Sequence, residues 1–352
     1  MVRSGWMATG MKLLHGWLLL SAAALAAAQD PAAGVDPTIQ VNVRLVRILA
    51  TVKDEKGAPV GSLERSSFEI RDNGVPQQIS VFERQTEQPL SVAVLIDNSG
   101  STAKDLKYET DSVTRFLRAL FREGNPEDAA ALYSFNWQVV RQNNFSRTVG
   151  AMERNLRSLR GDAGTSLYDA VLLASRDIED RPGRKVLVIV TDGGDTTSRS
   201  DFQRAVEAAQ LADAVIYPIL VIPVSADAGR NTGGENALAT MAVRTGGRVF
   251  QPSAATQLDA AFDQILRDLR TQYLIGFYPK DVPLSKERYH QLKVSVSDPS
   301  RRVVARDGYY GEAVREAPAT SGGGGPGPAI GADETLRPRK PVAPKLSQGK
   351  GP

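Results

Sequence analysis

Four short apolar segments, each followed by the pattern of an amphipathic helix, constrain the fold of this chain more than any other feature. The segments read VAVLI, AALYSF, VLVIV and AVIYPILVI, and all of them lie within residues 90–271. Between the segments, apolar residues recur at helical spacing, as Val113, Phe116 and Leu120 do. Buried strands that alternate with such helices are typical of a doubly wound, mostly parallel sheet. We therefore expect an α/β domain over this range, with an antiparallel edge hairpin at YSFNWQVVRQ.

Strand and turn patterns flank the α/β domain on both sides. In the N-terminal β segment, residues 39–89, the turn residues RDNGVP separate SFEI from QQISVF and predict a hairpin. In the C-terminal β segment, residues 272–312, Leu292 and Val294 alternate with polar residues, so one face of that strand is buried. Because such short β segments are marginal alone, we expect the two to pack together as one β-sandwich.

The first 28 residues have the pattern of an export signal. Arg3 and Lys12 precede the apolar stretch WLLLSAAALAAA, which ends in small residues. Its twelve residues are too few to cross a bilayer core of about 30 Å. We therefore predict that residues 1–28 are a cleaved signal peptide and that the mature protein, which has no transmembrane segment, is periplasmic or secreted.

Composition excludes several classes of function. The chain contains no cysteine, which excludes disulfides, thiolate catalysis, iron–sulfur clusters and a lipid-anchoring cysteine. Residues 29–312 carry 35 basic and 37 acidic residues, and a net charge of −2 argues against a nucleic-acid partner. Residues 313–352 are rich in glycine and proline, with a net charge of +3, and are predicted to be a disordered tail.

Oxygen-bearing side chains stand at three places where the predicted sheet ends. Asp97 closes VAVLI and is followed by Ser99 and Ser101, whereas Asp192 follows VLVIVT. Thr165 lies in the loop GDAGTS, directly before a predicted helix. Because loops beyond the carboxyl ends of parallel strands form the ligand site of such sheets, we expect these residues to converge. An all-oxygen set suits Mg²⁺ or Mn²⁺.

The Asp-x-Ser-x-Ser segment, together with Thr165 and Asp192, resembles the metal-ion-dependent adhesion site (MIDAS) of von Willebrand factor A (VWFA) domains. The resemblance extends over roughly residues 90–271 and implies their Rossmann-like fold. With the flanking stretches FEIRDNGVPQQISVFE, TGGRVF and QYLIGFYP, the chain is similar to a bacterial VWFA-related family first grouped from Acidobacteria.

The resemblance implies an adhesion or protein-interaction module rather than an enzyme, and the signal pattern of residues 1–28 predicts that it is exported. In such domains the two serine hydroxyls contact the ion directly. Thr165 and Asp192 would do so directly or through water, and Asp97 mostly through water. A protein partner would then present an acidic residue to the metal.

Other interpretations of the same residues stay open. A strand that ends in aspartate is also found in haloacid dehalogenase-like phosphotransferases, but these need a second acid where this chain has Ser99. A serine hydrolase is disfavoured because His290 is remote in sequence and no Gly-x-Ser-x-Gly elbow is present. Ser99 and Ser101 could instead cap the following helix, and Asp192 could begin a turn. A structural envelope scaffold with an idle metal site is a further alternative.

Overall fold

Along the described part of the chain, a first group of strands is followed by alternating strands and helices and then by a second group of strands. The computed structural model describes residues 45–84, 88–102, 105–221, 232–252, 257–282 and 288–311. Within these residues the strands are β1 (Val46–Lys53), β2 (Phe68–Asp72), β3 (Val75–Gln77), β4 (Ile79–Arg84), β5 (Leu90–Asp97), β6 (Ala129–Phe135), β7 (Val139–Ser146), β8 (Arg184–Thr191), β9 (Ala214–Leu220), β10 (Tyr273–Phe277), β11 (Tyr289–Val296), β12 (Arg302–Val304) and β13 (Gly308–Tyr310). The helices are α1 (Leu106–Glu123), α2 (Val149–Ser158), α3 (Leu167–Glu179), α4 (Phe202–Leu211), α5 (Thr232–Thr245) and α6 (Leu258–Thr271).

A five-stranded sheet in the order β7-β6-β5-β8-β9 lies at the centre of the α/β domain. Neighbouring strands are parallel except for β7, which pairs antiparallel with β6 at one edge. Val92 and Val94 pack in one core cluster with α1, α2 and α6, whereas Ala93 and Leu95 pack in another with α3, α4 and α5. Because helices cover both faces, every residue of β5 is buried. The predicted mostly parallel α/β sheet and its edge hairpin are therefore confirmed.

Strands from both flanks combine in two further sheets. One has the order β12-β1-β10-β4 and the other the order β13-β11-β2-β3. The strands β1 and β10 pair antiparallel, with Val46 opposite Phe277. Apolar side chains of both sheets, among them Ile48, Ile70 and Tyr273, form a third core cluster. The two flanking β segments thus share one hydrophobic core, which is the packing that their sequences predict.

The predicted hairpin between SFEI and QQISVF forms only in part. Its turn is built by Asn73 and Gly74, whose φ angles of 47° and 84° suit the left-handed region that such turns require. The second strand, however, is interrupted at Gln78, so that β3 pairs with β2 in one sheet and β4 pairs with β10 in the other. The interruption allows one apolar segment to contribute to both layers of the sandwich.

A buried carboxylate on α6 connects the α/β domain with the sandwich. Asp268 accepts hydrogen bonds from Lys53 of β1 at 3.3 Å and from Arg248 at 2.7 Å. Asp268 is only 3% exposed, and Lys53 is 9% exposed. These charges are therefore compensated by each other rather than by water.

The predicted signal peptide, residues 1–28, and the predicted tail, residues 313–352, lie outside the described residues and stay predictions. Among the helices that are described, none combines the length and the apolar character needed to span a bilayer.

Candidate metal centre

The carboxyl ends of β5 and β8 bring two of the predicted acids to one edge of the sheet. The strands are parallel neighbours, with Ile96 paired to Val190. The Thr191 hydroxyl donates to Asp97 Oδ2 at 2.6 Å, and Asp192 follows directly in the chain. Asp97 is fully buried, whereas Asp192 is half-buried. A buried acid and a more accessible acid thus face the same edge.

The Asp97 carboxylate is held in place by its neighbours. The backbone N–H of Ser99 donates to Asp97 Oδ1 at 2.9 Å, and the Thr102 hydroxyl donates to the Asp97 carbonyl oxygen at 2.9 Å. Burial raises the pKa of Asp97 from 3.8 to about 6. Hydrogen bonds from Thr191 and Ser99 oppose this rise in pKa, and the charge of Asp192 adds to it. In the absence of a cation, ionised Asp97 is therefore energetically unfavourable.

Two hydroxyl oxygens lie side by side next to this acid. Ser99 Oγ and Ser101 Oγ are 3.1 Å apart, with Ser99 buried and Ser101 exposed. Neither serine is the N-cap of the following helix, because that position in α1 is taken by Asp105, whose side chain makes no cap hydrogen bond. The capping role that the sequence left open for the two serines is therefore not observed.

The loop that carries Thr165 is attached to both strand ends. Ser99 forms an isolated parallel bridge with Asp162, whose backbone N–H donates to the Asn98 carbonyl at 3.0 Å. The backbone N–H of Thr165 donates to Thr196 Oγ1 at 2.9 Å, and the Thr165 carbonyl accepts from the Thr196 N–H at 2.8 Å. Thr165 itself is 6% exposed. These contacts involve its backbone and leave its hydroxyl available to a ligand.

Two nearby acids form hydrogen bonds between the loop after β8 and the start of α3. Asp169 accepts backbone hydrogen bonds from Arg199 and Ser200, each at 2.9 Å. Asp195 accepts one from Tyr168 at 3.2 Å. Both carboxylates therefore fasten the loop after β8 to the start of α3.

Two residues at this edge, besides Thr191, were not predicted from the sequence. Glu109 lies in the first turn of α1 and is fully buried, at helical spacing from Leu106 and Val113. An acid on the apolar face of a helix was the signal that could have identified it. Trp137 follows β6 and is 52% exposed, and its indole N–H donates to Asp162 Oδ2 at 3.0 Å.

The residues present fit a hard divalent cation. Among the described residues, neither Asp97 nor Asp192 forms an ion pair with a basic side chain. No group of three or more acidic or histidine side chains in this part of the chain could hold a metal ion by itself. A metal site at this edge would therefore need hydroxyl ligands, which Ser99, Ser101 and Thr165 could supply. Carboxylate and hydroxyl oxygens are the ligand set that Mg²⁺ and Mn²⁺ accept.

Comparison with protein families supports the resemblance. Residues 92–194 match the family model of the von Willebrand factor type A domain, and this range contains all five predicted ligand residues. The chain therefore carries a von Willebrand factor type A domain, as the sequence predicts. No curated protein sequence matches the chain at a significant level.

Solved structures similar to this one include three bacterial proteins. The vWF domain of a type V pili tip protein from Porphyromonas gingivalis is 16% identical, with a TM-score of 0.43, over 51% of this chain and 94% of that chain. An aerotolerance-related membrane protein from Bacteroides fragilis is 16% identical, with a TM-score of 0.40, over 51% and 98%. A von Willebrand factor type A protein from Catenulispora acidiphila is 11% identical, with a TM-score of 0.44, over 76% and 75%.

Proposed function

We propose that the von Willebrand factor type A domain of this chain binds Mg²⁺ or Mn²⁺ at the edge formed by β5 and β8 and, through the ion, an acidic side chain of a protein partner. The proposal is supported most directly by the burial of the Asp97 carboxylate without a cationic partner in the described part of the chain. Its carboxylate is fully buried, is oriented by Thr191 and Ser99, and has no cationic partner among the described residues. A buried carboxylate is costly unless a positive charge compensates it.

Each predicted ligand has a distinct part in this proposal. Asp97 and Asp192 would supply two negative charges, and Ser99, Ser101 and Thr165 would supply neutral hydroxyl oxygens. A bound ion would supply a positive charge and a ligand position that a partner's carboxylate can occupy. Since only two of the five residues are charged, the site with its ion would be formally neutral, so that a carboxylate of the partner could bind the ion without opposition from a net negative charge.

The same geometry favours binding over catalysis. A phosphotransferase would need a proton donor at position 99, but the Ser99 hydroxyl lies beside that of Ser101. His290 forms a hydrogen bond with Asp72 at 3.0 Å in the β-sandwich, away from Ser99 in the fold. We therefore propose an adhesion or protein-interaction module without enzymatic activity, and expect no turnover of a phosphomonoester in Mg²⁺.

Metal binding can be tested on the purified protein without knowledge of the partner. Mg²⁺ at 100 times its Kd should stabilise the fold by about 2.7 kcal/mol, because the unfolded chain has no preformed site. Asp97→Asn should abolish the Mg²⁺-dependent rise in Tm, and Ser99→Ala should weaken it. Asp263→Asn, which changes an exposed acid on α6, is the matched control and should respond like the wild type. Equal Mg²⁺ responses of wild type and Asp97→Asn would refute the proposal.

Partner binding requires a second experiment. The wild-type protein, immobilised and incubated with an envelope extract of the source organism, should retain a protein in Mg²⁺ and release it in EDTA. Asp97→Asn should retain nothing in either buffer. A protein that is retained equally under all these conditions would bind elsewhere on the surface and would contradict capture through the metal. Export of the chain stays a prediction from residues 1–28, which mass measurement of the mature protein would check.

A further inference from the structure

Glu109 occupies a position that an acid normally avoids. It lies one turn into α1, where its backbone N–H donates to the Asp105 carbonyl at 3.0 Å. Its neighbours on the same helical face, Leu106, Val113 and Phe116, all belong to the hydrophobic core. Glu109 is 0% exposed, so the core-facing position and the burial agree.

The carboxylate of Glu109 has no compensating contact in the described part of the chain. Neither Oε1 nor Oε2 has a hydrogen-bond partner there. The charges that act on it from the described residues are those of three acids, Asp97, Asp105 and Asp192. Burial, followed by the repulsion from these acids, raises the pKa of Glu109 to about 9. A glutamine or a leucine would avoid this penalty, so the fold alone does not account for an acid here.

Two of these three acids are the proposed metal ligands. The helix α1 begins at Leu106, five residues after Ser101, and the charges of Asp97 and Asp192 act on Glu109 in its first turn. The unpaired carboxylate of Glu109 is therefore subject to repulsion from Asp97 and Asp192. A divalent cation at that edge would compensate the negative charges of all three acids. The three acids do not form a close cluster that could hold an ion alone, so Glu109 need not coordinate it directly.

We propose that Glu109 is the third carboxylate of the metal centre and attracts the divalent cation across a water molecule or by charge, from behind the ligands that contact it. The inference rests on the proposed metal site and adds to it a residue of α1. Asp97 and Asp192 leave the site formally neutral with a divalent ion. Glu109, whose pKa of about 9 keeps its carboxyl protonated at neutral pH in the metal-free protein, adds one further negative charge when the ion displaces that proton. Supporting groups that do not contact a metal contribute about 10- to 100-fold to its affinity.

The test compares Glu109→Gln with the wild type in two measurements. In EDTA the variant should be at least as stable as the wild type in urea unfolding, because a buried, repelled carboxylate is replaced by a neutral group of the same shape. In calorimetric titration with Mg²⁺ alone, the Kd of the variant should be about 10- to 100-fold higher. Asp111→Asn is the matched control, since it removes one charge from an exposed position of the same helix, and its Kd should equal that of the wild type.

The outcomes separate this inference from the proposal on which it rests. If the wild type binds Mg²⁺ and Asp97→Asn does not, but Glu109→Gln binds with the wild-type Kd, only the role of Glu109 is refuted. If Glu109→Gln loses stability in EDTA or fails to fold, Glu109 is a structural acid and the inference is wrong as well. If the wild type does not bind Mg²⁺, the metal site itself is refuted. Glu109→Met, an apolar replacement of similar length, should reproduce both effects of Glu109→Gln.

Discussion

The hydroxyl of Thr191, the last residue of β8, donates a 2.6 Å hydrogen bond to Asp97 Oδ2 at the end of β5. Both residues are completely buried. The same hydroxyl accepts a hydrogen bond from the backbone N–H of Gly193, directly after Asp192. Thr191 therefore positions the Asp97 carboxylate and also shapes the start of the loop that carries the second acid of the proposed site.

Replacement of Thr191 by valine should destabilise the metal-free protein. Thr191→Val preserves the shape of the side chain but leaves the buried Asp97 Oδ2 without its hydroxyl donor. We expect the free energy of unfolding in EDTA to fall by about 1.5–3 kcal/mol, measured by urea denaturation. Thr191→Ser keeps the hydroxyl and should restore most of this loss. A Thr191→Val protein as stable as the wild type would show that the hydrogen bond does not hold Asp97.

The stability of the metal-free protein should depend on pH through Asp97. Its pKa rises from 3.8 to about 6 on folding, so the folded state retains this proton to a higher pH than the unfolded chain does. The contribution of Asp97 to stability is therefore complete below about pH 4 and is lost as the pH rises through 6. At 1.36 kcal/mol per pH unit, this loss is roughly 3 kcal/mol.

The measurement is the free energy of unfolding in EDTA at pH 4 and pH 7, for wild type and Asp97→Asn. The difference between the two proteins removes the contributions of the groups whose titration does not depend on the charge of Asp97. Relative to Asp97→Asn, the wild type should lose stability between the two pH values, and a relative gain would contradict the burial argument. Because Mg²⁺ competes with the proton, its affinity for the wild type should rise over the same interval.

Much of the fold could be predicted because its determinants are local. Strands such as VAVLI are apolar on both faces, and Asn73-Gly74 tolerates the positive φ angles of a tight turn. The position of Gln78, where one predicted strand divides between two sheets, depends on how the sandwich closes. That closure is determined by contacts over more than 200 residues, such as Val46 with Phe277, and no local pattern specifies them.

The residues of the site differ in the same way, since some can be predicted from local sequence and others depend on tertiary contacts. Asp97 and Asp192 were predictable because each follows a strand whose end must lie at the ligand edge. Glu109 stands out in the sequence only as an acid on the apolar face of α1, and an acid in the first turn of a helix is ordinarily explained by the helix dipole. Only the tertiary structure shows that its carboxylate is buried without a partner, near the acids at that edge.

The buried ion pairs of Asp268 should be important for stability and irrelevant to metal binding. Asp268→Asn would leave the amino group of Lys53 and the guanidinium of Arg248 without their shared carboxylate. We expect a loss of about 3–5 kcal/mol in urea unfolding, because a buried charge then lacks compensation. The control is Asp259→Asn on the same helix, whose ion pair with Arg115 is exposed and should contribute no more than about 1 kcal/mol. Equal losses in the two variants would contradict this, and both should keep the wild-type Mg²⁺ affinity.

Trp137 should contribute to partner binding next to the metal. Its side chain is 52% exposed, and its indole N–H donates to Asp162, the residue that forms a β-bridge with Ser99. Val140 on the same hairpin is a second exposed apolar residue, at 43%. Exposed tryptophans are frequent binding hot spots, and Trp137→Ala should weaken binding of the partner captured in Mg²⁺ by at least about 2 kcal/mol, or roughly 30-fold. Tyr278 is an aromatic residue of the same 52% exposure after β10, and Tyr278→Ala is the matched control. Surface plasmon resonance in Mg²⁺ should show a loss for Trp137→Ala alone, with an unchanged Kd for Mg²⁺. Equal partner affinities of the two variants would place the partner away from this hairpin.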